Sequence, residues 1–132
     1  MAFPITLLYA GILGAFMALL SIRVPLRRGA LDMPVGDGGD EDLATRIRAF
    51  GNFTEYVPMV LVLMLLLEAS GAASGALHGL GGTLVAARVV HAFWLRMRMS
   101  LSLPEKLGRA AGAMLTWMVV VVSSGYALAL AL

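Results

Sequence analysis

The 132-residue sequence contains no cysteine. Disulfides, zinc–thiolate sites and a cysteine nucleophile are therefore excluded. Charge is nearly as scarce, at 14% of residues against about 25% in a soluble domain. Hydrophobic residues make up 60% of the chain. Too little polar surface remains to cover a globule in water, which excludes an ordinary soluble enzyme. Disorder is excluded as well, because disordered chains are poor in hydrophobic residues. The net charge of +2 is too small to argue for nucleic acid as a partner. What is left is a membrane domain, and four helical spans of ~20 residues would use most of the length.

The spans follow from the uncharged runs. Residues 1–22 carry no charge, and Arg23 ends the run. With no basic segment ahead of Phe3, this is a retained span rather than a cleaved leader. Within it Ala10, Gly14 and Ala18 recur every fourth residue. That stripe fits close approach of another helix and equally fits the general abundance of small residues in membrane helices. Residues 23–45 read as a polar connection. Its acidic run Asp37–Asp42 lacks the spacing of a calcium loop and is a solvated turn, with Asp42 placed to cap the next helix.

The second span is the informative one. Tyr56–Leu67 is uncharged for only 12 residues, ~18 Å of helix against a hydrocarbon core of ~30 Å. To cross, the helix must begin near residue 47, which puts Arg48, Asn52 and Glu55 at membrane depth. Pro58 is expected to kink it and free the carbonyl of Thr54. The third span, near 77–96, encloses Arg88 and His91 in the same way. The fourth, 110–131, is unbroken. The expected fold is an all-α, integral-membrane four-helix bundle with spans at about 3–22, 47–67, 77–96 and 110–131. Lys and Arg number five over residues 23–48 and four over 96–109, with none between Glu68 and Ala87. The positive-inside rule then puts both termini on the non-cytoplasmic side. Trp94 suits the cytoplasmic aromatic belt, while Trp117 falls too deep for a belt and is expected to pack. The nine Met residues are apolar filler rather than metal ligands, and no metal site is expected.

This topology brings two distant segments to one depth. Arg48–Glu55 lie in the first turns of the second helix, and Arg88 and His91 in the last turns of the third. Arg23 and Arg109 sit at the same face, so all four helices present cations to one level. Arg48, Asn52 and Glu55 are spaced i, i+4, i+7, on one face of a helix. An ionised group at mid-span costs roughly 2.5–3.5 kcal/mol. Inter-helix hydrogen bonds in membranes return on average under ~1 kcal/mol. A structural ion-pair network therefore explains the cluster less well than a function does. Among the acids only Glu55 is expected to be buried, so the site is cationic and suits an anion that carries one amino group. His91 alone, or Arg27 and Arg28 alone, would signify little. Asn52-Phe53-Thr54 is a chance glycosylation sequon in a buried setting.

The stretch Arg46-Ile47-Arg48-Ala49-Phe50-Gly51-Asn52-Phe53-Thr54-Glu55-Tyr56-Val57-Pro58 resembles the MAPEG signature R-x-x-x-N-x-x-E-Y-x-P (membrane-associated proteins in eicosanoid and glutathione metabolism). Arg88-Val89-Val90-His91-Ala92 is similar to the family's third-helix motif, and Gly36-Asp37-Gly38-Gly39-Asp40 to its bacterial branch. The resemblance implies a homotrimer in the bacterial inner membrane, with glutathione as co-substrate bound between subunits on the cytoplasmic side. It also implies that Arg48, Asn52, Glu55 and Tyr56 hold the tripeptide, with His91 and Arg88 lining it and Arg23 and Arg27 at the end of the first helix. The thiolate-stabilising arginine corresponds to Arg109, with Arg98 and Arg96 as the other candidates. The implied activity is glutathione transfer, or glutathione-dependent peroxidation, on lipophilic electrophiles that arrive from the bilayer. Leu95 replaces the tyrosine that some eicosanoid-making members carry, which argues against leukotriene or prostaglandin chemistry. Two other readings stay open: a proton-coupled exporter of lipophilic cations built on Glu55, and a scaffold that binds glutathione without turnover.

Overall fold

A computed structural model describes residues 2–132, with four helices and no strand among the described residues: α1 (Pro4–Ala30), α2 (Glu41–Ala69), α3 (Ser74–Trp94) and α4 (Leu103–Ala131). Side-chain pairs fix the topology. Arg27 meets Asp40, Phe16 meets Phe53, and Ile5 meets Glu68, so α1 and α2 run antiparallel. Tyr9 meets His78 and Thr45 meets Met97, which sets α3 parallel to α1 and antiparallel to α2. Arg88 meets Thr116, and α4 runs back along α3. The bundle is up-down-up-down, and both termini lie at one end. The core runs along the helix seams, from Leu13 and Leu20 through Phe53, Val57, Val60 and Met64 to Leu77, Leu84 and Val119.

Three helices, α1, α2 and α4, are long and apolar enough to cross a membrane. α3 falls short because it carries His78, Arg88, His91 and several small residues. It is also the most enclosed helix, with seven of its 21 residues buried. Arg88 and His91 face protein while His78 is exposed, and the role of α3 is to fill the bundle. At Gly81 the ring of Tyr9 lies where a β-carbon would stand, so only glycine lets α1 close onto α3 there.

The helices extend past the expected spans into the charged segments. α1 continues through Arg23, Pro25, Arg27 and Arg28 to Ala30, so the first connection is residues 31–40 rather than 23–45. Charge ends a hydropathy run, but hydrogen bonding continues for two more turns. Asp40, not Asp42, caps α2: its carboxylate accepts the Leu43 N–H at 2.7 Å. Asp42 lies in the first turn instead, bridging Arg27 (3.3 Å) and Arg46 (2.8 Å). Arg27 also donates two hydrogen bonds to Asp40, at 3.2 and 2.7 Å. The Arg27 guanidinium, with help from the Leu43 N–H, holds the Asp40 carboxyl below its usual range. α2 runs continuously through Pro58. α4 begins seven residues before the expected span, where Glu105 accepts the Ser102 backbone N–H (2.8 Å) and both oxygens meet Arg98 (2.6 Å each).

The opposite end is built differently. α1 starts after Phe3, whose left-handed φ of 61° comes with no side-chain cap. The Glu68 carboxylate, at the far end of α2, fills that role by accepting the N–H groups of Ile5 (2.9 Å) and Thr6 (2.7 Å). A helix start leaves its first N–H groups unpaired, and a carboxylate there also meets the positive end of the helix dipole. All ten Lys and Arg residues lie in the other half of the bundle, which we term the basic end.

Candidate functional site

On the α2–α3–α4 side of the basic half, one cavity of about 230 Å³ is lined by Arg48, Asn52 and Tyr56 of α2, Arg88 and His91 of α3, and Arg109, Thr116 and Trp117 of α4. Six of the residues singled out from sequence thus share one cavity. α2 and α4 both enter from the basic end, and they offer matching ladders. Arg48, Asn52 and Tyr56 are spaced i, i+4, i+8; Arg109, Ala113 and Trp117 repeat that spacing. Such intervals keep side chains on one helical face.

Arg88 anchors the back wall. It is 2% exposed, donates to Thr116 Oγ1 (3.1 Å) and lies 3.3 Å from His91 Nδ1. Its guanidinium carbon also sits 6.0 Å from the centre of the Phe53 ring. Arginine is a donor only, so this contact makes His91 Nδ1 the acceptor and leaves the imidazole proton on Nε2. Thr116 passes the chain on to the Gly112 carbonyl at 2.8 Å. Gly112 is needed for that closeness: a β-carbon there would stand 2.7 Å from the backbone of His91. α4 is thereby held against α3 at the level of the cavity.

The front is open. Arg48 and Glu55 pair at 3.3 Å with about half of each side chain exposed. Glu55, expected to be buried, instead sits on the outer face of the chain beside the cavity. α2 turns this face away from α1, and no other element among the described residues covers it. Trp117, expected to pack, is 56% exposed and forms part of the open rim.

The structure separates the remaining arginines. Arg109 lines the cavity and makes no ion pair or hydrogen bond among the described residues. Arg98 is engaged by Glu105, and Arg96 donates to the carbonyls of Phe93 (2.8 Å) and Leu95 (2.7 Å). Neither reaches this cavity. Arg27 is committed to Asp40 and Asp42, and Arg23 lines a different cavity. The cationic level expected from four helices is therefore built by three, because α1 packs on α2 and α3 and not on α4. Thr116 and Trp117 were missed in the sequence, being neutral or apolar. Their recurrence seven and eight residues after Arg109, matching Glu55 and Tyr56 after Arg48, is the signal that points to them.

Chemically, the cavity offers three guanidinium groups, an amide, a phenol and an imidazole, with one carboxylate at its edge. It suits a ligand with several anionic groups and one cationic group. Comparison with known proteins agrees with the sequence motifs. The MAPEG family model matches residues 6–129. Two curated relatives, both named inner membrane protein YecN, come from Escherichia coli K12 and E. coli O6:H1. Each is 34% identical over 95 residues, 72% of this chain and 72% of the relative. No solved structure matches. A family match covering nearly the whole length, on an all-helical bundle, shows that the chain belongs to the MAPEG family.

Proposed function

We propose that the protein is a membrane-bound glutathione transferase that activates the thiol of glutathione with arginine and uses it on lipophilic electrophiles. The observation that carries this reading is the convergence of Arg48, Arg88 and Arg109 on one cavity with Asn52, Tyr56 and His91. Glutathione has two carboxylates, one ammonium and a thiol. Arg48 and Asn52 suit a carboxylate, and Glu55, 3.3 Å from Arg48, suits the ammonium. Arg109, with no partner of its own, suits the thiolate.

The chemistry is electrostatic. The thiolate, not the thiol, is the nucleophile. A guanidinium beside it favours the ionised form and lowers the pKa by ~1–3. The thiol proton passes to solvent, the sulfur pair forms a bond to the electrophilic carbon, and the leaving group departs with its electron pair. With a hydroperoxide, the thiolate sulfur attacks the terminal peroxide oxygen, the O–O bond breaks and the alkoxide leaves, taking a proton from solvent to become the alcohol. The thiol of a second glutathione then attacks the resulting sulfenic acid, forming the disulfide and releasing water. Trp117 and the apolar face of α4 border the cavity on the side from which a lipid-dissolved electrophile would come.

At about 230 Å³ the cavity is smaller than the roughly 300–1,000 Å³ typical of small-molecule sites, and its front is open. That open front supports a homotrimer in which a neighbouring subunit would close the site. The concentration of Lys and Arg at one end supports a cytoplasmic orientation of the site, with both termini on the other side. The YecN relatives support the inner membrane as its location.

The test is a glutathione titration of the detergent-purified protein at neutral pH, read by thiolate ultraviolet absorbance and by calorimetry. Saturable thiolate absorbance is the expected result. Heat of binding without thiolate would favour the non-catalytic scaffold. Absence of both signals would refute the proposal.

A further inference from the structure

A second cavity opens at the basic end, on the other side of α2 and α3 from the first. It measures about 380 Å³ and lies between α1, α2 and the segment after α3. Its floor is Ala49 and Ala92, neighbours in sequence of Arg48 and His91, so the two cavities stand back to back across the α2–α3 seam. Four arginines line it: Arg23, Arg46, Arg96 and Arg98.

Two carboxylates, Glu41 and Asp42, line it as well, so four guanidinium groups face two acids and the set stays cationic. Asp42 is shared between Arg27 and Arg46, and Arg98 is taken by Glu105. Arg23 has no ion pair among the described residues, and its own carbonyl accepts from Arg46 Nη1 at 3.0 Å. Arg96 bonds only to backbone carbonyls. Arg46 Nε is buried and has no hydrogen-bond partner. A buried guanidinium N–H without an acceptor is unfavourable, so the arrangement is short of oxygen acceptors at one place.

We propose that this second cavity is a phosphate site, occupied by the phosphate of an anionic lipid headgroup or by free phosphate. Guanidinium forks match tetrahedral oxyanions in geometry as well as charge, and three underused forks around one space call for an anion with several oxygens. The position suits a headgroup. Arg23 ends the uncharged run of α1, and Arg96 follows the last turn of α3, so both stand where apolar helix gives way to polar surface. Juxtamembrane arginines favour anionic lipid in such places. The site shares no lining residue with the glutathione cavity, and either can fail without the other.

The experiment uses the full chain in detergent. Native mass spectrometry compares retention of phosphatidylglycerol with that of phosphatidylcholine, and thermal melting is followed in inorganic phosphate against chloride at equal ionic strength. Phosphatidylglycerol is expected to bind about tenfold more tightly than phosphatidylcholine. Arg23→Gln combined with Arg96→Gln should abolish that preference, while Arg48→Gln combined with Arg109→Gln should leave it. The first pair breaks no acidic ion pair, and each single change serves if the double variant does not fold. Stabilisation by inorganic phosphate without a lipid preference, lost in the same Arg23 and Arg96 variants, would identify free phosphate as the source. The proposal is overturned if neither probe binds, if binding survives loss of Arg23 and Arg96, or if it disappears with Arg48 and Arg109.

Discussion

Replacement of Arg109 by glutamine tests the proposed chemistry most directly. Three guanidinium groups line the proposed glutathione cavity, but two already have partners. Arg88 serves Thr116 and His91, and Arg48 serves Glu55. Arg109 alone is free to answer a developing thiolate. A free thiol of pKa ~8.5 is about 3% ionised at pH 7. Lowering its pKa by ~2, a mid-range effect of one adjacent guanidinium, raises the ionised share to roughly three-quarters. The gain in nucleophile at pH 7 is about 25-fold, or ~1.9 kcal/mol, out of the ~2.7 kcal/mol that a two-unit shift represents. Arg109→Gln should remove most of it. The midpoint of thiolate absorbance in the bound state should move from near pH ~6.5 to near pH ~8.5, and transferase rate at pH 7 should fall by roughly the same 25-fold. Arg109→Lys should recover part of the shift, because charge is kept while the planar fork is lost. The assay is the thiolate absorbance of bound glutathione across pH, with occupancy checked by calorimetry at each point. If the Arg109→Gln curve overlays the wild-type curve at equal occupancy, the reasoning is refuted.

Other consequences can be checked separately. Gly112→Ala should destabilise the bundle by about 1–3 kcal/mol, since its β-carbon would meet the His91 backbone at 2.7 Å; denaturant titration in detergent measures this. Asp40 has a folded-state pKa below its unfolded value of ~3.9, so its stabilisation is full above that value and is lost as pH falls through the folded pKa. Asp40→Asn should therefore flatten the acid limb of a melting-temperature profile measured between about pH 2 and 5, and an unchanged limb would contradict a stabilising Arg27–Asp40 pair. Glu68→Gln weakens the acceptor for Ile5 and Thr6, and hydrogen exchange at those two amides should accelerate while exchange in the middle of α1 stays the same.

Much of this was legible in the sequence, and the gaps have physical causes. Uncharged runs located the four helices because a bilayer demands apolar length. They misplaced the ends, since α1, α2 and α4 all continue through charged turns that water satisfies as readily in a helix as in a loop. Asp42 was read as a cap where Asp40 serves, a choice decided by where Arg27 reaches rather than by local pattern. The cavity was legible through Arg48, Asn52, Arg88 and His91, because polar groups at membrane depth stand out. Thr116 and Trp117 do not stand out, as threonine and tryptophan are unremarkable in an apolar helix. Within the chain Arg23 lines a different cavity from Arg48, Arg88 and Arg109, because distance from a helix end gives depth but not direction around the axis.

The modest apolarity of α3 bears on how the protein is made. A segment carrying Arg88 and His91 amid small residues has little tendency to leave the insertion machinery for lipid alone, where a mid-span arginine costs roughly 2.5–3.5 kcal/mol. Its arginine finds Thr116 only once α4 exists, 28 residues later. We therefore expect α3 to wait and to enter the bilayer as a hairpin with α4. Biogenesis of α3 would then be committed only when α4 is made. Insertion mapping of chains stopped before and after α4 would reveal such a delay, and stable insertion of α3 without α4 would argue against it.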